Sequence, residues 1–293
     1  MTFSLDELHT FVTVAREGNM TRAAGKLGVT QPALSWSVRR MEEKLDHALF
    51  VRTKKGVVLT RAGEMLLDRA EKLRREWENL TLDIREGQHE IRGSYSLGVH
   101  PTVALYTLPR FCPDLLASHP GLELRLVHRL SREVAEDVIE LRVDLGIVVD
   151  PPAHPDLTRV PLYRDEICFW VRDKEAIEAP PSLVVCNSDL PQTEPLLAQA
   201  QEAGLLHQTR VMFTTELKLV EAMVASGSAV GLLPATIALN AVNGAFHRLP
   251  DTPLDRQIIS LIWRADLQTS KASKAIRQAI VEALQQEPPV RTD

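Results

Sequence analysis

The chain has 293 residues, 44% of them apolar and 25% charged, enough for two or three folded units with sizeable cores. Met1–Leu8 lacks a basic stretch followed by an apolar run, the longest apolar stretch (near Ala229–Val242) is broken by Pro234, and Cys112, Cys168 and Cys186 form neither a metal spacing nor an even disulfide set, so no secretory leader, membrane span or disulfide scaffold is expected and a reducing cytoplasm is. The net charge of −5 divides unevenly: residues 1–62 carry ten Lys/Arg against six Asp/Glu (+4) and the remainder carries −9, a basic head on an acidic body, as expected where one part meets phosphate.

The head reads as short helices. Leu5, Leu8, Phe11, Val12 and Ala15 recur at helical spacing, with Ser4 as cap and Glu7 reaching back in a capping box. Gly18-Asn19 ends this helix. Thr21 is expected to cap the next, with Ala23, Ala24 and Leu27 inward. Gly28 supplies a turn, Thr30 caps a third helix with Pro32 in its first turn, and Ala33, Leu34, Val38, Met41 and Leu45 form its apolar stripe. "LFVRTKKGVVLT" then predicts a hairpin or wing with Lys54-Lys55-Gly56 at its tip.

From Thr60 to about Glu86 the pattern is one long helix. Leu66, Ala70, Leu73, Trp77, Leu80 and Ile84 follow at alternating spacings of four and three, an a/d seam that predicts a dimerising coiled coil; a single helix lying on its own domain is the other reading. "GQHEIRGS" marks a joint. Beyond it, strands at Tyr95–Val99, Leu122–Val127, Leu145–Val149, Ile167–Val171, Leu183–Cys186, Val211–Phe213, Ala229–Leu233 and Ile258–Trp263 alternate with helices at Val103–Ser118, Glu133–Leu141, Glu194–Ala203, Glu216–Ala225 and Lys271–Gln286. This predicts mostly parallel sheet covered on both faces, and about 200 residues suit two α/β lobes with a cleft between them.

In helix-turn-helix units the second helix of the motif enters the major groove, its N-terminal residues touching base edges. Here Thr30, Gln31, Pro32, Ser35, Trp36 and Arg39 form the outward face of that helix, and Arg22, Lys54 and Lys55 would neutralise phosphates around it. The Gln31 amide can bond adenine or reach a phosphate, and an exposed Trp36 would lie against sugar, a thymine methyl or the wing. A merely solvated helix face is the blander reading of any one of these side chains.

Ala23-Ala24, Leu27, Gln31-Pro32-Ala33-Leu34-Ser35, Glu42, Leu45, Leu49-Phe50, Arg52, Leu59-Thr60 and Ala62-Gly63 stand in an order that resembles the LysR-type transcriptional regulator family. The resemblance is specific over some sixty residues of the head and runs by pattern through the body. It implies an α+β multidomain chain: a winged helix-turn-helix over 1–59, with Arg52 among the DNA contacts, and a dimerising linker helix over 60–88. Two α/β, Rossmann-like lobes resembling the type 2 periplasmic-binding-protein fold follow, lobe one over 93–163 and 268–293 and lobe two, inserted in it, over 164–267. The chain would cross near Tyr163–Asp165 and return near Arg264–Leu267. One departure stands after Leu45, where the family usually has Gly and this chain has Asp46, a residue that tolerates a left-handed helix stop at some cost.

Ligands of open α/β sheets collect at the carboxyl ends of strands, which selects His100, Thr102, Ser131, Asp150, Asn187, Ser188, Thr214, Thr215 and Pro234. Ser and Thr at such places are commonly helix caps, with Ser131 read as one, and His100 could add charge below about pH 6.5. The resemblance points to Thr102 and Ser131 as ligand hydroxyls. The function expected is a sequence-specific DNA-binding regulator sensing a small polar or anionic metabolite, with no cofactor and no metal, and with double-stranded DNA as partner. The resemblance adds a homodimer through the linker helix and a homotetramer. The alternatives are a two-lobed binding protein or enzyme with no DNA role, against which no catalytic grouping can be found, and a thiol redox sensor through Cys186.

Overall fold

The computed structural model describes residues 4–54, 56–67, 69–70, 73, 77, 91–206, 209–242, 244–265, 270–286 and 288–289. By its internal contacts the chain divides into a unit of residues 1–94 with 121–123, and a unit of 95–120 with 124–293.

In the first unit, α1 (Leu5–Glu17) opens with the expected capping box between Ser4 and Glu7 and stops at Gly18, φ 58°. α2 (Met20–Leu27) is capped by Asn19, not by Thr21: from its extended backbone the Asn19 side-chain oxygen accepts the N–H groups of Thr21 and Arg22 at 2.9 and 3.1 Å, which places Thr21 inside the helix. α3 (Gln31–Leu45) starts at the Thr30 cap and ends at Asp46, which does take the left-handed conformation at φ 54°. The wing is an antiparallel pair, β1 (Phe50–Thr53) and β2 (Gly56–Leu59), with Phe50 opposite Leu59. The Val57 N–H bonds the Gly18 carbonyl at 2.9 Å, and a Cβ at Gly56 would stand 2.1 Å from that oxygen, so the wing closes on the α1–α2 turn only through glycine.

Thr60 starts the linker helix: its hydroxyl donates to the Ala48 carbonyl at 2.6 Å and accepts the Gly63 N–H at 3.0 Å. Ala70 is buried with Phe11, Val12, Met41 and Leu49, and Leu66 packs on that cluster, so the first turns of this helix complete the core of the head.

The second unit runs β3 (Gly93–Val99), α4 (Pro101–Thr107), a 3₁₀ turn (Leu108–Arg110), α5 (Cys112–Ser118), β4 (Leu122–His128), α6 (Ser131–Ile139), β5 (Leu145–Val149), β6 (Leu157–Val171), α7 (Glu175–Glu178), β7 (Leu183–Asn187), α8 (Thr193–Glu202), β8 (Arg210–Thr214), α9 (Leu217–Ala225), β9 (Val230–Pro234), α10 (Ala235–Leu239), β10 (His247–Arg248), β11 (Asp255–Arg264) and α11 (Lys271–Gln286). The strands join in the order β4-β3-β5-β11-β6-β9-β7-β8, with β10 beside β6. The helix expected over Val103–Ser118 is broken into three pieces, since Pro109 and Pro113 each lack the N–H a continuous helix needs.

The sheet is mixed, not mostly parallel. β3 with β5, and β7 with β8 and β9, are parallel; β11 runs antiparallel to β5 and β6, and β6 to β9. β6 is 15 residues long, of which only Ile167–Val171 was expected. Its first half reads poorly as a strand because Pro161 interrupts it, at a bulge where the pairing slips between Ile259/Tyr163 and Ser260/Pro161. Ile259–Trp263 lies beside β5, a stretch that the sequence reading assigned to the second lobe; an apolar run alone carries no sign of which strands it joins. Two separate apolar clusters form along this sheet. One holds Val134, Val138, Val148 and Ile262, the other Ile167, Phe169, Val184, Val230 and Leu232, and β6 contributes to both: these are the two lobes.

Candidate DNA-reading face and effector cleft

Leu34, Val38 and Met41 are the buried stripe of α3. On a helix turning 100° per residue, Pro32, Trp36 and Arg39 fall on the opposite side, with Gln31 and Ser35 on one flank. Thr30, Pro32, Trp36 and Arg39 are exposed, Trp36 at 64%, and the Gln31 amide donates to the Ser35 hydroxyl at 2.8 Å. Arg52 and Lys54 are exposed on the wing, and Lys55 lies outside the described residues. Arg22 is exposed with its guanidinium 3.6 Å from Glu17, a carboxylate that Lys26 also holds at 2.5 Å and whose pKa those cations lower.

The cations of α3 itself are tied to carboxylates. Arg39 meets Glu43 at 3.3 Å. Arg40 and Lys44 both meet Oε1 of Glu7, at 2.8 and 2.7 Å, while Oε2 of Glu7 accepts the Ser4 N–H at 3.0 Å. Glu7 is buried, and with Lys44, the Ser4 N–H and Arg40 all bonding its charged form its pKa is lowered to about 2. Glu7 was expected as a cap only; its partners 33 and 37 residues away leave no local signal. Along the linker helix, Leu73 and Trp77 are exposed at 46% and 51%, Leu66 is half-buried against the head, and Leu80 and Ile84 lie outside the described residues.

In the second unit the selected polar groups meet varied fates. Ser131 is the first residue of α6 and not its cap; its hydroxyl accepts the Val149 N–H at 3.1 Å and so ties α6 to the end of β5. Asp150, at φ 42°, accepts the Ile258 N–H at 2.9 Å. Asn187 is buried, donating to the Thr215 carbonyl at 2.8 Å and accepting the Asp189 N–H at 2.7 Å. The Thr214 hydroxyl accepts the Glu216 N–H at 3.1 Å, and the Ser188 N–H bonds the Thr214 carbonyl at 2.9 Å. Pro234 ends β9 opposite Ile167 and precedes α10.

His100 caps α4, its Nδ1 accepting the Thr102 N–H at 3.3 Å. Burial lowers its pKa, against the opposing charges of Glu216 and Asp189 from the second lobe, which moves any positive charge on His100 to lower pH than an ordinary histidine. Thr102 is 9% exposed, and among the described residues its hydroxyl has no hydrogen-bond partner. Sequence reasoning missed a clasp between the lobes. Lys218 of α9 donates to the Tyr106 hydroxyl of α4 at 3.1 Å, lies 5.3 Å from the centre of that ring, and meets the buried Glu221 at 2.6 Å.

Comparison with known proteins accords with this geometry. Residues 5–64 match the model for the bacterial regulatory helix-turn-helix protein of the lysR family, and residues 88–285, two thirds of the chain, match the LysR substrate binding domain. The chain belongs to the LysR family. It is 32% identical to the HTH-type transcriptional regulator BbuR of Bordetella bronchiseptica over 61% of this chain and 55% of that one, so the match spans about half the length of this curated relative. Among solved structures, a full-length OxyR from Pseudomonas aeruginosa superposes with a TM-score of 0.67 at 22% identity over 97% and 98% of the two chains. Full-length CbnR complexed with its target DNA superposes with 0.65 at 21% identity over 97% and 99%. These likenesses show the LysR fold: a winged helix-turn-helix followed by two α/β lobes.

Cys186 is fully buried in β7, and burial pushes its thiol up to about 12; Cys168 is likewise pushed up to about 12 and Cys112 to about 11. A sensing thiol must be exposed and partly ionised near neutral pH, so the redox alternative fails at Cys186. Among the described residues no group of three or more His, Cys, Asp or Glu could hold a metal ion, and no helix is long and apolar enough to cross a membrane.

Proposed function

We propose that this LysR-family chain is a sequence-specific DNA-binding transcriptional regulator without catalytic activity. It acts in the cytoplasm as a homodimer through the linker helix, assembled further to a homotetramer. The outward side of α3 carries this reading: Pro32, Trp36 and Arg39 stand opposite the buried stripe with Gln31 and Ser35 on its flank, beside an exposed basic wing. Arg22, Arg52 and Lys54 there contact phosphate. A two-fold dimer presents two such helices to successive major grooves about 34–36 Å apart. The binding of target DNA by the structural neighbour CbnR supports the same role. Measuring duplex affinity of the full chain against salt tests it. Four to six phosphate contacts give a slope of log K on log salt of about −4 to −5. A flat salt response removes the DNA role.

The two-lobed unit, divided near Tyr163–Asp165 on β6 and Asp255–Ile258 on β11, binds a small polar or anionic metabolite in its cleft. Thr102 supports this best, since its hydroxyl at the head of α4 has no protein partner among the described residues and is left open to a ligand acceptor or donor. Ser188 and Thr215 face the same task from the second lobe, and an anion drawn to Lys218 competes with Tyr106 for its ammonium. Ligand would thereby shift the balance between open and closed lobes. Thermal unfolding of the full chain against a panel of small carboxylates, amino acids and aromatic acids should give a concentration-dependent rise in midpoint that Thr102→Ala removes. A rise that survives Thr102→Ala places the ligand elsewhere.

A further inference from the structure

Trp36 is the largest apolar side chain exposed on α3, at 64%, and it stands opposite Leu34, Val38 and Met41. It is also held. The Arg40 guanidinium carbon lies 5.1 Å from the centre of the indole, within cation–π range. Arg40 cannot swing away freely, because its other contact is the buried Glu7 carboxylate of α1 at 2.8 Å. Glu7 is itself fixed by Lys44 at 2.7 Å and by the Ser4 N–H at 3.0 Å. The chain Glu7–Arg40–Trp36 therefore runs from the core of α1 to the outer face of α3, and an exposed side chain is pre-organised by a buried charge. This restraint lowers the ordering cost of docking the indole.

The same contacts decide what the indole reads. Arg39, Arg40 and Lys44, all the cations of α3, are each engaged with Glu43 or Glu7, which leaves one net positive charge among the five and no cation beside Trp36 free to turn to phosphate. An apolar ring entering the major groove finds one apolar group on the base edges, the 5-methyl of thymine. Resting on the DNA-binding role proposed above, we infer that Trp36 is a specificity-determining residue that reads a thymine methyl, and that Arg40 and Glu7 are the positioning residues that hold it there.

The test uses the full chain and the duplex it retains most tightly from a random-sequence pool. Each thymine of that duplex is replaced in turn by deoxyuridine, which removes only the methyl group. The expected result is one position, with its two-fold mate, at which uracil weakens wild-type binding about fourfold, the worth of one buried methyl-sized group. Trp36→Ala should bind more weakly and be indifferent at that position, and Trp36→Phe should restore the penalty. Glu7→Gln should also lose the penalty while keeping the salt slope of the wild type, a split that a general loss of folding does not produce. Arg40→Gln, at a half-exposed site, repeats that test without touching the cap of α1.

A wild-type chain indifferent to uracil everywhere, or a Trp36→Ala chain with the same penalty at the same position, overturns the methyl reading and leaves the DNA role standing. A penalty unchanged in both Glu7→Gln and Arg40→Gln overturns the positioning roles. Failure to retain any duplex removes the DNA role and this inference with it.

Discussion

In the head, Pro32, Trp36, Arg39, Arg52 and Lys54 remain exposed, while in the two-lobed unit Ser131, Asp150, Asn187 and Thr214 each bond a backbone group of a neighbouring strand or loop. Both regions carry candidate site residues at the places sequence reasoning selects, and only in the first are most of those side chains left open. The difference lies in the architecture. A three-helix head buries one stripe per helix and leaves the far side to solvent. A sheet edge that ends in tight connections needs side-chain oxygens to satisfy its own N–H groups. Thr102 is an exception in the cleft, a nearly buried residue whose hydroxyl bonds no protein group among the described residues, and such exceptions are the informative residues.

The largest expected effect breaks the head alone. A Cβ at Gly63 would lie 2.2 Å from the Leu49 carbonyl oxygen, a backbone atom that cannot turn aside. Gly63→Ala should therefore cost about 3 kcal/mol, the upper range for overpacking. It should abolish duplex binding, while ligand-dependent stabilisation of the two-lobed unit survives. Equilibrium unfolding followed together with duplex affinity reads both. A variant with full duplex affinity would mean that the start of the linker helix tolerates displacement from Leu49.

The same contrast explains what was legible beforehand. Caps and stops in the head are local: Thr30 stands three residues from the N–H it accepts, and Gly18 and Gly28 mark left-handed stops. Even the one misplaced cap, Thr21 for Asn19, was an error of two residues between neighbouring capping types. β6 was missed over ten residues because its partners on β11 are about 90 to 107 residues distant and its own pattern is broken by Pro161. The Tyr106–Lys218 clasp joins residues 112 apart, and the Glu7 network residues 33 and 37 apart, so neither has a spacing to find. Site residues at strand ends could be named, but which of them keep a free hydroxyl depends on those distant pairings.

A smaller effect sharpens the distinction within the cleft. Ser131→Ala leaves the Val149 N–H without its acceptor and should cost about 1 kcal/mol of stability without changing ligand affinity. Thr102→Ala should do the reverse, since no protein group loses a partner. Calorimetric midpoints with and without ligand separate the two. A ligand-affinity loss in Ser131→Ala would return that hydroxyl to the binding site.

Two carboxylates carry the comparison into pH. Glu7, lowered from 4.5 to about 2, contributes stability that is present in full above pH 4.5 and is lost as pH falls toward 2. Wild type should thus exceed Glu7→Gln in thermal midpoint at pH 6, with the gap closing between pH 4.5 and 2. An unchanging gap would show that Gln disturbs packing and not charge.

Asp165 has the opposite sign. It is buried on β6 between the two lobe cores, accepting the Glu166 N–H at 2.8 Å and the Thr236 N–H at 3.1 Å, and burial raises its pKa. A raised pKa means that the folded state favours the protonated acid. Stability is therefore greatest below the unfolded value near 3.9 and declines as pH rises through the folded one. Asp165→Asn keeps the accepting oxygen and removes the charge. It should stabilise the chain by about 1 kcal/mol at pH 7, because the α10 N–H donors already offset most of the desolvation, and by nothing at pH 3. Denaturant midpoints at the two pH values decide it. A gain at pH 7 would show that the crossover strand keeps an acid at the expense of stability, at the place where the two lobes must move if ligand is to close them.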